Sequence, residues 1–358
     1  MSAALNRRTQ KERVPAMSAK VIPVVSRQDL PLRIVSAGGG SGLATLLRGL
    51  KPYARSNASS PAAVDLTAVV TVTDDGGSSG RLRRELDVLP PGDIRNCIVA
   101  LSEDETLLSK LFEYRFSAGR GLRGHSFGNL FLTALSDITG DFPKAVKVSS
   151  EILAIAGRIF PSTNSKVTLE ATLEDGTVVA GESRISKSRT PIRSVALKPL
   201  HVQPLAETCR AINEADLVTL GPGSLYTSVI PNLLVDGIPE SIRKSRALTA
   251  YIVNLMWQPG ETMHYSASDH VRALWRHAKI PLDFVVVNTS PITTQLQRKY
   301  ARQHVHAVEI DLEELNKMRV EVVAGPLFAE GAVVRHDAAA LARVILELAL
   351  ESRRRRKT

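Results

Sequence analysis

Two adjacent carboxylates, Asp74 and Asp75, end a β-branched run and open the loop within TVTDDGGSSG, residues 71–80. In extended backbone, neighbouring side chains point to opposite faces, so both acids can meet one ligand only where the chain turns. Gly76 and Gly77 permit that turn, and Ser78 and Ser79 add hydroxyl donors suited to phosphate. One aspartate could hydrogen-bond a ribose or base, as the acidic residue after a second Rossmann strand does, while the other caps the loop or binds a metal. An Asx turn and a helix N-cap of purely structural use would draw on the same residues.

Further loops carry similar chemistry. GGGSG supplies Gly38, Gly39, Gly40, Ser41 and Gly42, whose backbone amides can approach an anion closely ahead of a helix N-terminus. The spacing is not G-x-G-x-x-G, because Leu43 or Thr45 stands where the third glycine belongs, and no G-K-[ST] follows, which demotes ordinary NAD and P-loop NTPase readings. In PPGDIRNC, Arg95 and Asn96 could face an anionic ligand while Asp93 caps the helix or binds a metal. GHSFGNL sets His125 and Asn129 four residues apart; with no strand expected before it, it is not read as a nucleophile elbow. LGPGSLYTS brings Gly221, Gly223 and Ser224 as another amide-rich loop, with Tyr226 as a flat surface for a base or sugar. NLMWQPGETMHY adds Asn254, Gln258, Glu261 and Tyr265, with Trp257 read as core or rim. No nucleophile, general acid or general base is identified, and the eight histidines show no zinc-ligand spacing.

These loops need a frame. LRIVSA, VDLTAVVTV, ADLVTL, ALTAYIVNL and LDFVVVN read as strands, each ending in a polar or glycine-rich loop, and Leu43, Leu46, Leu47 and Leu50 recur at helical spacing after the first. The expected fold is α/β, a Rossmann-like, doubly wound, mostly parallel sheet whose loops meet a ligand outside the carboxyl ends of the strands. Between these strands, KVTLEATLEDGTVVAGESRI alternates around Asp175-Gly176 and predicts a small antiparallel β-hairpin insertion over about 166–198. A terminal helix is expected over about 337–350, where Leu341, Val344, Ile345 and Leu348 make one apolar stripe.

The chain has 358 residues, 44% of them hydrophobic, as in an ordinary soluble protein. Its net charge of +10 is concentrated at the ends: residues 1–30 carry six Lys/Arg against two acids, and residues 351–358 carry five against one. Both ends are read as solvated basic tails around a single domain at 31–350, so no specific nucleic-acid face is expected. There is neither a membrane-length apolar run nor an apolar segment behind the basic N-terminus, and Cys97 and Cys209 are read as reduced thiols, which together predict a cytoplasmic protein.

GGGSG, VTVTDDGGSSGRLRRE, PPGDIRNCIVALS, GHSFGNLFLTAL, LGPGSLYTSVIPNLL and NLMWQPGET together resemble the bacterial gluconeogenesis factor family, a branch of the 2-phospho-L-lactate transferase superfamily. The resemblance covers residues 32–290 or so. It implies binding of a UDP-sugar such as UDP-N-acetylglucosamine, and a role in cell shape and envelope morphogenesis during gluconeogenic growth. For the transferase branch it implies phospholactyl transfer from a nucleotide diphosphate donor onto a deazaflavin, with Mg²⁺ held by Asp75 or Asp93; no deazaflavin face aligns to this chain. No cofactor is expected for binding alone. A homodimer and a regulator of cell-envelope synthesis are the candidate partners. Members often carry Asp-Gly after PGET, where this chain has Met263 and His264.

Overall fold

The computed structural model describes residues 30–55, 63–102 and 107–356. The basic stretch expected as a tail at 1–30 lies, except for Leu30, outside the described residues. Seven parallel strands form the main sheet: β1 (Leu32–Gly38), β2 (Val64–Val70), β3 (Arg158–Pro161), and, after an insertion, β7 (Leu217–Leu220), β8 (Leu248–Ile252), β9 (Phe284–Asn288) and β10 (Glu321–Gly325). Their order is β10-β9-β8-β7-β1-β2-β3, and each neighbouring pair runs parallel. The central strands are buried almost end to end, as helices on both faces require.

The insertion consists of β4 (Thr168–Leu173), β5 (Val178–Ala180) and β6 (Ile192–Lys198), antiparallel in the order β5-β4-β6. Along β4 buried and half-buried residues alternate strictly, the signature of a sheet with one packed face. The alternation seen in the sequence thus has its cause in a one-sided packing that the main sheet does not share.

Three helices bear on the site. Helix α1 (Gly40–Ala54) follows β1, α2 (Gly77–Leu86) follows β2, and α3 (Gly92–Leu101) comes next in the chain. Leu43, Leu46, Leu47 and Leu50 of α1 are all fully buried.

The structure corrects the reading of a solvated tail from residue 351 on for 351–356, the described part of it. The last helix runs from Ala338 to Arg355, and its arginines are engaged. Arg353 donates to Asp216 Oδ2 at 2.5 Å and to the carbonyl of Pro31 at 2.8 Å, and Arg356 donates to Asp216 Oδ1 at 3.2 Å. Asp216 is 6% exposed and also accepts the Arg33 N–H at 2.8 Å, so the basic run latches the helix to the strand edge beside β1 and β7. A charge run is solvated only where nothing buried needs its charge. Among the described residues no helix is long and apolar enough to cross a membrane.

Candidate functional site

The sheet order reverses at β1: the chain builds outward through β2 and β3, then returns to β1's other side as β7. At such a switch point the loops leaving adjacent strands diverge and open a crevice. Here those loops are Gly39–Gly42 and Gly221–Ser224. They touch: a Cβ on Gly42 would lie 2.5 Å from the carbonyl oxygen of Pro222. Only a glycine allows that approach.

A crevice of about 270 Å³ lies over the contact, lined on one side by Gly39, Gly40, Ser41, Gly42 and Thr45, and on the other by Pro222, Gly223, Ser224 and Ser228. The first turn of α1 has Gly39 at its N-cap with no side-chain cap; the Gly40 N–H is taken by Asp93, which leaves the next amides and the positive end of the helix dipole to an anion. The loop after β8 forms the outer wall through Asn254, Leu255, Met256, Trp257 and Gln258, and Tyr300, Arg335 and His336 close the far end.

The polar groups of that wall are oriented. Asn254 Nδ2 donates to Gln258 Oε1 at 2.9 Å, and Gln258 Nε2 donates to Ser224 Oγ at 2.8 Å, which leaves the Ser224 hydroxyl proton for a ligand. Glu261, only 6% exposed, accepts the Tyr226 N–H at 3.1 Å and the Thr227 hydroxyl at 2.9 Å and so holds the β7 loop in place. Burial raises the Glu261 pKa against the opposing pull of these hydrogen bonds. His336, half-buried in the crevice wall and bonded to the Val253 backbone, has its pKa lowered to about 4 by burial.

Behind Gly39 sits a second group of polar residues. A Cβ at Gly39 would come 2.6 Å from Asp93 Oδ2, and one at Gly92 would come 2.6 Å from Asp74 Oδ2. Burial, reinforced by the Asp74 charge, pushes the Asp93 pKa up to about 7 against the stabilising Gly40 N–H. Glu182 of the insertion is raised well above the carboxylate range by burial and by Asp93, Asp74, Glu261 and Asp75, and its Oε2 is buried without a partner. Among the described residues no three His, Cys, Asp or Glu side chains converge as a ready-made metal-ligand set.

A family model described as 2-phospho-L-lactate transferase CofD matches residues 34–328. The gluconeogenesis factor of Bacillus subtilis is 47% identical over 321 residues, covering 89% of this chain and 98% of that protein. That of Halalkalibacterium halodurans is 46% identical over 316 residues, 88% of this chain and 95% of that protein. The chain belongs to the gluconeogenesis factor family. The family stands within the 2-phospho-L-lactate transferase superfamily. A crystal structure of a UPF0052-family protein from Bacillus halodurans superimposes with a TM-score of 0.84 at 45% identity, covering 89% of this chain and 99% of that one.

Against this family background the residues singled out in the sequence divide into three groups. Gly39, Gly40, Ser41, Gly42, Gly223, Ser224, Asn254 and Gln258 meet in the switch-point crevice, with Gly38 and Gly221 at the strand ends beneath it. Arg95 and Asn96 line a neighbouring compartment that also includes Ser41. The remainder do not line the crevice. Asp74 Oδ1 accepts the Gly76 N–H at 2.8 Å, an Asx turn, and Asp75 Oδ1 accepts the Ser183 N–H at 2.8 Å, which turns Asp75 toward the insertion. Gly77 starts α2; Ser78 in its first turn bonds to His125 Nδ1 at 2.9 Å, and Ser79 accepts from Asn129 Nδ2 at 3.4 Å. Both serines are buried, so hydroxyls read as phosphate donors instead fasten α2 to the helix Phe127–Thr139, whose N-cap is Ser126. Tyr226 is also displaced from its expected role: it is fully buried, and its hydroxyl bonds to that of Tyr265 at 2.8 Å. A ring wholly enclosed by the core cannot serve as an open face for a base.

The structure adds residues not singled out from the sequence: Thr45, Arg48, Ser228, Tyr300, Arg335 and His336. Ser41, Thr45 and Arg48 fall at i, i+4 and i+7 between the buried leucines of α1, so their shared face was readable from helical spacing. Arg335 had no such signal, because it sits in a two-residue antiparallel pairing, Ala329 opposite Arg335. His264 has φ of 65°, a left-handed backbone uncommon for a residue other than glycine, and its ring packs edge-on against Trp257 at 4.6 Å.

Proposed function

We propose that this protein binds a UDP-sugar, of the UDP-N-acetylglucosamine type, in the switch-point crevice and acts in the cytoplasm as a regulator of cell shape and envelope synthesis under gluconeogenic growth. The observation that carries the reading is the direct contact of Gly42 with Pro222, which merges two amide-rich loops into one anion-binding wall. The diphosphate lies along Ser41, Gly42, Gly223 and Ser224. The uridine or sugar meets the Asn254–Gln258 pair and the rings of Trp257, Tyr300 and His336. Membership of the gluconeogenesis factor family supports the link to gluconeogenic growth.

Calorimetric titration of the full chain with UDP-N-acetylglucosamine, UDP-glucose, GDP, NAD and free phosphate tests this. Selective binding of a UDP-sugar, recovered intact, supports it. A preference for GDP or NAD sinks it.

A second reading, a metal-dependent phospholactyl-type transferase using a nucleotide diphosphate donor, is favoured by one observation: a carboxyl with a pKa near 7 beside a second acid, directly behind the phosphate loop. Mg²⁺ is commonly held by one or two carboxylates plus ligand phosphates and water, a set that Asp93 and Asp74 fit better than the insertion-bound Asp75. The ion would neutralise a leaving diphosphate. Metal-dependent cleavage of a nucleotide diphosphate ester would establish this reading in place of the first.

A further inference from the structure

An amphipathic helix ordinarily turns its apolar side to the core. Helix α5 (Phe127–Thr139) does the reverse, for its buried residues are Gly128, Asn129, Leu132 and Thr133. Asn129 Nδ2 donates to Ser79, and the Thr133 hydroxyl donates to the Asn129 carbonyl at 2.9 Å, so the polar side of the helix is spent inside. On the opposite side Phe127, Phe131, Ala134 and Ile138 recur every three or four residues and are half-exposed or exposed, Ile138 at 79%.

Helix α4 (Leu107–Glu113) extends this stripe. It buries Ser109 and Phe112, whose ring packs on those of Phe127 and Phe131 at 6.2 and 5.0 Å, and leaves Leu107 and Leu111 outside, Leu107 at 82%. Tyr114, also exposed, accepts the Phe127 N–H on its carbonyl at 2.8 Å, which brings the two stripes side by side. Single exposed apolar residues need no explanation, but a continuous stripe over two packed helices marks an interaction surface.

Its charges point to what covers it. Asp137 is the one charged residue of α5, and it stands near the C-terminal end, where the helix dipole disfavours a carboxylate. At the other end lie the positive end of the dipole and Arg115, which is bridged to the N-cap residue Ser126. Arg115 donates only to a neutral carbonyl, that of Gly124 at 2.7 Å, and neither Arg115 nor Asp137 makes an ion pair among the described residues. A second α5 crossing the first antiparallel near Phe131 and Ala134 would bring each Asp137 within about one turn of the other helix's N-terminus and Arg115. Ala134, small and central in the stripe, allows the close approach that such a crossing needs.

We propose that the α4–α5 face is the interface of a two-fold homodimer in which the two α5 helices pack antiparallel and Asp137 of each copy pairs with Arg115 of the other. The interface lies outside the glycine-loop crevice and does not depend on what that crevice binds.

The test is sedimentation equilibrium of the full chain at micromolar concentration, with thermal unfolding to check that each variant is folded. The wild-type chain is expected to be a dimer. Ala134→Glu and Ile138→Glu put a charge into the stripe at exposed positions and should each weaken the dimer by about 30-fold or more. A wild-type monomer, which would leave the face to an unlike partner, overturns the proposal, as does a dimer unchanged in both variants. The pairing has its own test. Asp137→Arg sets two cations together at both contacts of its homodimer, and Arg115→Asp sets two anions together, so each variant alone should associate more weakly than wild type. Mixed in equal amounts, the two variants regain an opposite-charge pair at both contacts and should form a heterodimer tighter than either homodimer. A mixture that associates no better than the separate variants overturns the antiparallel pairing.

Discussion

The side-chain amide of Gln258 donates to Ser224 Oγ at 2.8 Å, joining the loop after β8 to the loop after β7. Ser224 thereby accepts one hydrogen bond and keeps its own proton to donate. Gln258→Ala is expected to lower UDP-sugar affinity by about tenfold while costing only about 1 kcal/mol of stability. Calorimetry paired with urea unfolding separates the two effects. Equal affinity in the variant would mean that Ser224 does not contact the ligand.

Gly42→Ala puts a methyl group against the backbone of Pro222. A backbone carbonyl cannot swing aside as a side chain can, so the two glycine loops must part. Binding should be lost, with a stability cost of about 1–3 kcal/mol from overpacking. A Gly42→Ala protein that binds normally would show that the contact of the loops is not what forms the site.

Asp93 makes a pH prediction. Its folded pKa, about 7, lies above the unfolded value of 3.8, so folding favours the protonated form. The associated stability is fully present below about pH 4, is lost as pH rises toward 7, and stays lost above it; the range is at most about 2–4 kcal/mol. Asp93→Asn should flatten this part of the stability–pH curve and leave the variant relatively more stable at pH 8. Urea midpoints measured between pH 4 and 8 decide it, and parallel curves for the two proteins would contradict the assignment.

The two adjacent aspartates should behave differently. Asp75→Ala removes the acceptor of the Ser183 N–H and loosens the insertion, at about 1–2 kcal/mol. Asp74→Ala breaks only a local turn but removes a charge acting on Asp93, so it should cost less stability and lower the Asp93 pKa. Unfolding of each variant, with the carboxyl of Asp93 followed by NMR, would reveal any reversal of that order.

Asp216→Ala leaves Arg353 and Arg356 without their carboxylate partner at a largely buried position. Breaking such a pair typically costs about 3–5 kcal/mol. Early fraying of the last helix, read by amide exchange in residues 338–355, should accompany the loss. If exchange there is unchanged, the basic run is not what holds the helix.

Strand-to-loop transitions were legible along the chain because parallel strands buried on both faces read as continuous apolar runs, and a glycine cluster after such a run has few uses besides a close turn or an anion. That much, with the antiparallel insertion and the order of the motifs, the amino-acid sequence determined by itself. Which loops meet was decided by strand order. Gly42 and Pro222 are far apart in the chain and touch only because β7 returns beside β1. The same tertiary placement turned Ser78 and Ser79 inward to His125 and Asn129, enclosed Tyr226, brought Arg335 to the far end of the crevice, and gave the terminal arginines a buried acid to hold. Residue type states what a side chain can bond to; burial and the chain's return path decide which partner is within reach.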